Sequence, residues 1–102
     1  MKIAIAATTQ ALEGQVEMHA ARAPYYLLLD TERDLYEVLA NPVAKVERGA
    51  GPKAAAFLVQ QAVEKVVAGE FGYRFRADLE ENGISCEERK GAIADVIAEY
   101  RS

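Results

Sequence analysis

A single cysteine in 102 residues removes several functions before any motif is read. Cys86 has no partner for an internal disulfide, and an iron–sulfur cluster held by one chain alone normally takes four thiolates. One histidine adds little. Cys86 and His19 together fall short of the four Cys or His ligands of a structural zinc site, so any metal held here needs ligands from elsewhere. Long apolar runs are also missing. Runs such as residues 25–29 are far below the roughly 20 residues that cross a bilayer. The opening residues 1–6 reach polar Thr8 too soon for a secretory signal, so a cytoplasmic protein is expected. Positive charge is in deficit: the formal charge of −4 argues against broad nucleic-acid binding, which needs a basic footprint to displace counterions from phosphates.

What is present suits one domain, since about half of the chain is apolar and its length allows one core. Residues 2–7 alternate and then run into small residues, predicting a first strand that ends at Thr8-Thr9. Residues 10–24 lack periodicity and read as a long connection, of the kind usually functional or disordered. Residues 25–29 and 35–40 flank a polar turn and predict a hairpin, with Asn41-Pro42 ending its second arm. Pro52 suits a first helical position because its missing N–H has no helical partner there, and Ala54, Phe57, Leu58 and Ala62 share a face. The expected helix therefore covers 52–64, before a buried strand at 65–68 closed by Gly69.

The stretch from Phe71 supports two periods. Phe71, Tyr73, Phe75, Ala77 and Leu79 alternate as a strand would, but Phe71, Phe75 and Leu79 also share a helical face. Good helix formers at Arg74, Arg76, Ala77, Leu79, Glu80 and Glu81, with Gly83 as a stop, favour the helix. A short strand at 84–87 follows. Ile93, Val96, Ile97 and Tyr100 then predict a final amphipathic helix, the third helix starting near Lys90.

This order implies a mixed sheet with the first strand in its middle and helices supplying parallel crossovers. The C-terminal ends of the first, fourth and fifth strands then share one edge with the helix N-termini. That edge gathers the loop with His19 and Arg22, the Gly49-Ala50-Gly51-Pro52-Lys53 turn, the Gly69-Glu70-Phe71-Gly72 turn and the residues just after Cys86. Ligands of open α/β sheets bind at such edges. Unpaired N–H groups and partial positive charge at helix N-termini favour an anion there, with Arg22, Arg48 and Lys53 adding charge.

The residues at these landmarks carry a resemblance. Met1-Lys2-Ile3-Ala4-Ile5-Ala6, followed by His19-Ala20-Ala21-Arg22-Ala23-Pro24, is similar to the start and the His-Phe-Gly-Arg-Ala-Pro segment of the dinitrogenase iron–molybdenum cofactor family. Asn41-Pro42, Gly49-Ala50-Gly51 and Val66-Val67-Ala68-Gly69 look like its remaining landmarks, in order, over nearly the whole chain. The resemblance implies a ribonuclease-H-like fold, a five-stranded mixed sheet of order 3-2-1-4-5 flanked by helices. It implies no catalysis. The expected role is binding or carriage of a preassembled anionic metal–sulfur cluster, molybdenum–iron or molybdenum–copper sulfide, during cofactor assembly or delivery. Proteins that donate or accept the cluster are the implied partners of a chain expected to be a monomer.

Ala20-Ala21 stand where the family has Phe-Gly, and Glu70 stands where it often has a second glycine. Lost backbone freedom and an added negative charge both oppose an anionic ligand. They leave a second reading open, an interaction or regulatory module that keeps the scaffold without the cofactor.

His19, Arg22, Gly49, Gly51 and Gly69 are the candidate cofactor-binding residues, with His19 and Cys86 as candidate metal ligands. His19 offers a neutral imidazole nitrogen, or is a solvated loop histidine. Cys86 offers a soft thiolate, but it alternates with Ile84 onto one face and so reads first as a core thiol. Met18 is a possible thioether ligand and more often a packing residue. Arg22 presents several donors to an anion, or pairs with Glu17 or Glu13. Gly49 and Gly51 permit a tight turn in either case. Tyr25 and Tyr26 read as packing residues on opposite strand faces. A two-metal nuclease is refused by the first strand, which holds no Asp or Glu. A Cys–His hydrolase from Cys86 and His19 lacks an orienting third residue.

Overall fold

The computed structural model describes residues 1–101. Strand β1 (Lys2–Ala7) is followed by β2 (Tyr25–Asp30), β3 (Leu35–Ala40), α1 (Ala50–Gln60), β4 (Lys65–Ala68), α2 (Tyr73–Glu81), β5 (Ser85–Glu88) and α3 (Ile93–Arg101). The five strands form one mixed sheet of order β3-β2-β1-β4-β5. β1 runs antiparallel to β2 and parallel to β4, and β4 runs parallel to β5.

The central strands β1, β2 and β4 lack a polar side because both faces of the sheet are covered there, while the edge strands β3 and β5 are partly exposed. Ala4 and Ala6 of β1, Tyr26 and Leu28 of β2, and Val66 and Ala68 of β4 meet Ala54, Leu58, Phe75 and Leu79 from α1 and α2. Their neighbours Ile3, Ile5, Leu27, Leu29 and Val67 meet Ile93, Val96 and Ile97 of α3. Tyr25 and Tyr26 do lie on opposite faces, as period two requires.

The helix bounds differ from the sequence expectation, and each difference has a cause. α1 begins at Ala50, not Pro52, because Gly49 turns the chain into the helix with φ +73°. Pro52 still falls in the first turn, where no N–H is missed. The helix stops at Gln60, not near residue 64, because Ala62 takes φ +59°, the left-handed conformation usually given to glycine just past a helix.

α2 is helical, settling the two-period stretch. Phe75 and Leu79 are buried while Tyr73 is 88% exposed, which a strand with all five apolar residues on one face would not give. It starts at Tyr73 rather than Phe71. Phe71 stays outside and stacks on Phe75, with ring centroids 6.1 Å apart. Beyond its end, Gly83 at φ +76° lets the Gly83 N–H donate to the Glu80 carbonyl and the Ile84 N–H to that of Leu79. Both are the bonds of a Schellman cap, with Leu79 and Ile84 buried together. β5 is displaced by one residue from the expected 84–87, since Ile84 serves that cap. α3 begins at Ile93, after residues 89–92.

Candidate functional site

The connection between β1 and β2 is ordered by backbone pairing. The Glu17 N–H donates to the Ala6 carbonyl at 2.8 Å, extending the line of β1. The Gly69 N–H then donates to the Glu17 carbonyl at 2.9 Å and the Glu70 N–H to that of Met18 at 2.7 Å, while the Ala20 N–H returns to Glu70. His19 is thereby stitched beside the segment leaving β4, at the C-terminal edge of the parallel strands.

Two side chains anchor the next residues from below. The Tyr26 hydroxyl, fully buried, donates to the Ala20 carbonyl at 2.6 Å, and burial pushes its pKa far above the usual tyrosine range. Asn41 is the buried polar side chain of the core. Its amide donates to the carbonyls of Ala21 at 3.0 Å and Ala23 at 2.9 Å, and its oxygen accepts from the Val43 N–H. Arg22 then reaches across to the carbonyls of Val46 at 2.6 Å and Glu47 at 3.4 Å. It pairs with neither Glu17 nor Glu13. It ties the His19 segment to the loop that enters α1.

These ties frame an open depression of about 510 Å³, walled by residues 19–22 and 49–52 and by Glu70 and residues 72–75. The N-termini of α1 and α2 both face it. Neither has a side-chain cap or an acidic residue in its first turn, so the positive end of each helix dipole is not offset from within its own helix. A side chain at Gly51 would be in ordinary contact with Phe75, which measures how closely the two helix starts approach. His19 is largely exposed at the mouth, its Nδ1 3.8 Å from a Glu70 carboxylate oxygen. The other carboxylate nearby, Glu17, accepts from the His19 backbone N–H at 3.0 Å.

Of the residues expected from sequence, His19, Arg22, Gly49 and Gly51 share this depression. Gly69 lies behind it, under Met18. Cys86 is not brought there: it sits on β5 opposite Val66, half-buried against the α1–α2 side of the core, and burial raises its thiol pKa. The residues after Cys86 also stay outside the depression, where Glu88 bonds Arg76 at 3.3 Å. Among the described residues, no three or more His, Cys, Asp or Glu converge to hold a metal ion.

The model of the family described as dinitrogenase iron-molybdenum cofactor matches residues 1–102. The chain belongs to this family. Among solved structures it is similar to a candidate NifB protein from Thermotoga, with 30% identity and a TM-score of 0.79, over 98% of this chain and 89% of that one. The apo form of the orange protein from Desulfovibrio gigas has 22% identity and a TM-score of 0.89, over 97% and 85% of the two chains. A candidate dinitrogenase from Methanocaldococcus jannaschii has 15% identity and a TM-score of 0.65, over 100% and 92%. At these last two identities the likeness is one of fold. No curated protein sequence matches.

In this member of the dinitrogenase iron–molybdenum cofactor family, sequence reasoning passed over Asn41 as a strand terminator. Its one available signal was the Asn41-Pro42 landmark, because the carbonyls it holds are about twenty residues away in the chain. Among the described residues no helix is long and apolar enough to cross a membrane.

Proposed function

We propose that this chain binds and carries a preassembled, anionic, molybdenum-containing metal–sulfur cluster, without catalysing a reaction, as a cytoplasmic monomer that exchanges it with donor or acceptor proteins. The observation that carries the reading is the meeting of His19 and Arg22 with two uncapped helix N-termini in one depression. The donor set fits such a cargo better than a bare ion. One imidazole cannot cage a metal, but a cluster brings its own sulfides and needs only a terminal ligand and a positive, hydrogen-bonding surround. His19 supplies the ligand. Arg22 keeps N–H groups beyond those committed to Val46 and Glu47, and Gly49 and Gly51 keep side chains away from the first N–H groups of α1. Membership of the family supports the same reading.

A specific observation favours a second reading, an interaction module without cofactor. The Glu70 carboxylate stands beside His19 and opposes an anion in the depression.

Anaerobic incubation with a preformed molybdenum–iron or molybdenum–copper sulfide cluster in zinc-free buffer, followed by metal analysis and visible absorption, separates the two. Stoichiometric retention that is lost in His19→Ala and kept in Cys86→Ala is the expected result. Loss only in Cys86→Ala would move the site to β5, and a folded wild-type chain that retains nothing would leave the interaction module.

A further inference from the structure

The cations of this acidic chain are sorted. Of twelve Lys and Arg, Arg33, Lys65, Arg76, Arg89 and Arg101 each hold a carboxylate. Five of the other seven lie in the depression or in the segments that adjoin it. Arg22 and Arg74 line it, Arg48 precedes Gly49, and Lys53 reaches back so that its Cε lies 3.9 Å from where a Gly49 side chain would begin. Lys45 lines a second hollow of about 440 Å³ that shares Arg22 with the first. Among the described residues, Lys2 and Lys90 are the cations elsewhere that hold no carboxylate. Tyr73 stands on the same rim and is the most exposed large hydrophobic residue among the described residues, at 88%.

Basic side chains that hold no carboxylate, gathered at two adjoining hollows on a chain of net charge −4, are an arrangement that internal ion pairing does not explain. Here Glu17, Glu47 and Glu70 are the acids nearby, with Glu17 holding the His19 backbone N–H and Glu70 turned to the His19 side chain. An exposed tyrosine next to Arg74 in the chain adds two residue types that are enriched at interface hot spots.

We infer that this rim is a docking surface for a protein with an acidic patch, seated over the depression with Tyr73 as its anchor. The inference rests on the carrier reading for what the partner does there, but not for docking itself. Complementary charge around a mouth orients an incoming surface and speeds its encounter. A nucleic acid fits less well, because the positive charge gathers at two adjoining hollows rather than along a stripe and the rest of the chain repels a polyanion.

The test uses the full chain without cluster and a fluorescein-labelled acidic peptide of alternating Glu and Leu, read by anisotropy at low and high salt. The expected result is salt-sensitive binding that falls roughly tenfold in the double variant Lys45→Glu/Arg48→Glu, as reversal of rim charges does. Tyr73→Ala should weaken it as well. A second double variant, Arg33→Glu/Lys90→Glu, changes the net charge equally away from the rim and should bind as the wild type does. No binding at low salt, or equal losses in both double variants, would overturn the docking surface. Tighter binding of a single-stranded oligonucleotide than of the peptide would overturn the choice of a protein partner. Peptide binding in a chain that retains no cluster would leave the docking surface standing and remove only the carrier reading.

Discussion

Gly69 and Met18 approach so closely that a Cβ on Gly69 would stand 2.6 Å from the Met18 Cα and 2.8 Å from its sulfur. The sulfur could swing away, but the Cα cannot, because the Gly69 and Glu70 N–H groups hold the carbonyls of Glu17 and Met18. Gly69→Ala must therefore push the His19 segment off β4, at about 1–3 kcal/mol of stability. Gly72, with open space around it and φ −62°, is the control: Gly72→Ala should stay within about 0.5 kcal/mol. Urea denaturation of both variants, with the His19 imidazole followed by NMR, checks this. Equal stabilities would mean that the segment is not held against β4.

Asn41 holds the other end of the same segment. Asn41→Ala withdraws the donors from the Ala21 and Ala23 carbonyls, and Ala23 is fully buried, so water reaches at most one of them. The expected loss is about 2–3 kcal/mol. Asn41→Asp should fare no better, since it turns an acceptor toward two carbonyls. The measurements are the same, and a loss below about 1 kcal/mol with an unmoved His19 resonance would contradict the role given to this side chain.

A polar cluster fixes α3 on the opposite face of the sheet. The Tyr100 hydroxyl donates to Glu87 at 2.6 Å, and the Lys65 ammonium reaches both, at 3.0 Å to Tyr100 and 3.3 Å to Glu87. The hydrogen bond from Tyr100, then Lys65, holds the Glu87 carboxyl below its ordinary value against the effect of burial. Lys65 is raised, first by its bond to Tyr100, and Tyr100 is raised, first by burial. The depressed carboxyl adds stability that is present above about pH 4.5 and lost as pH falls through the lower folded value. The two raised groups add stability that is complete below about pH 10 and lost as pH climbs through their folded values. Tyr100→Phe should cost about 1 kcal/mol at neutral pH, discounted for partial exposure, and flatten both limbs of the stability profile. Parallel profiles for the two proteins would mean that the cluster is not coupled to folding.

β1, β2 and β4 were legible because burial on both faces leaves apolar runs closed by Thr8-Thr9, Asp30 and Gly69, whereas β3 and β5 are partly exposed edge strands. Helix ends were less so. Ala62 in a left-handed conformation has no sequence mark, since the chain places no glycine there. Topology alone brought His19, Arg22, Gly49 and Gly51 to one edge, because parallel strands end together. What stayed hidden depends on contacts between distant segments: Arg22 bonds carbonyls rather than carboxylates, and Asn41 holds residues 21 and 23.

Glu70 gives the sharpest prediction about the proposed cargo. Its carboxylate lies 3.8 Å from His19 at the mouth of a depression that otherwise presents helix N-termini and arginines. Two like unit charges roughly 5 Å apart in water repel by about 0.8 kcal/mol, or close to fourfold in affinity for each unit of charge on the cargo. Glu70→Gln keeps the size of the side chain and removes that repulsion. Its retention of a molybdenum–copper or molybdenum–iron sulfide cluster, measured as metal left after desalting, should exceed that of the wild type by at least about fourfold at low salt. The gain should shrink as salt rises, and Glu70→Asp should show little of it. Retention unchanged in Glu70→Gln would mean that the cargo does not sit beside His19, even if the wild-type chain holds it.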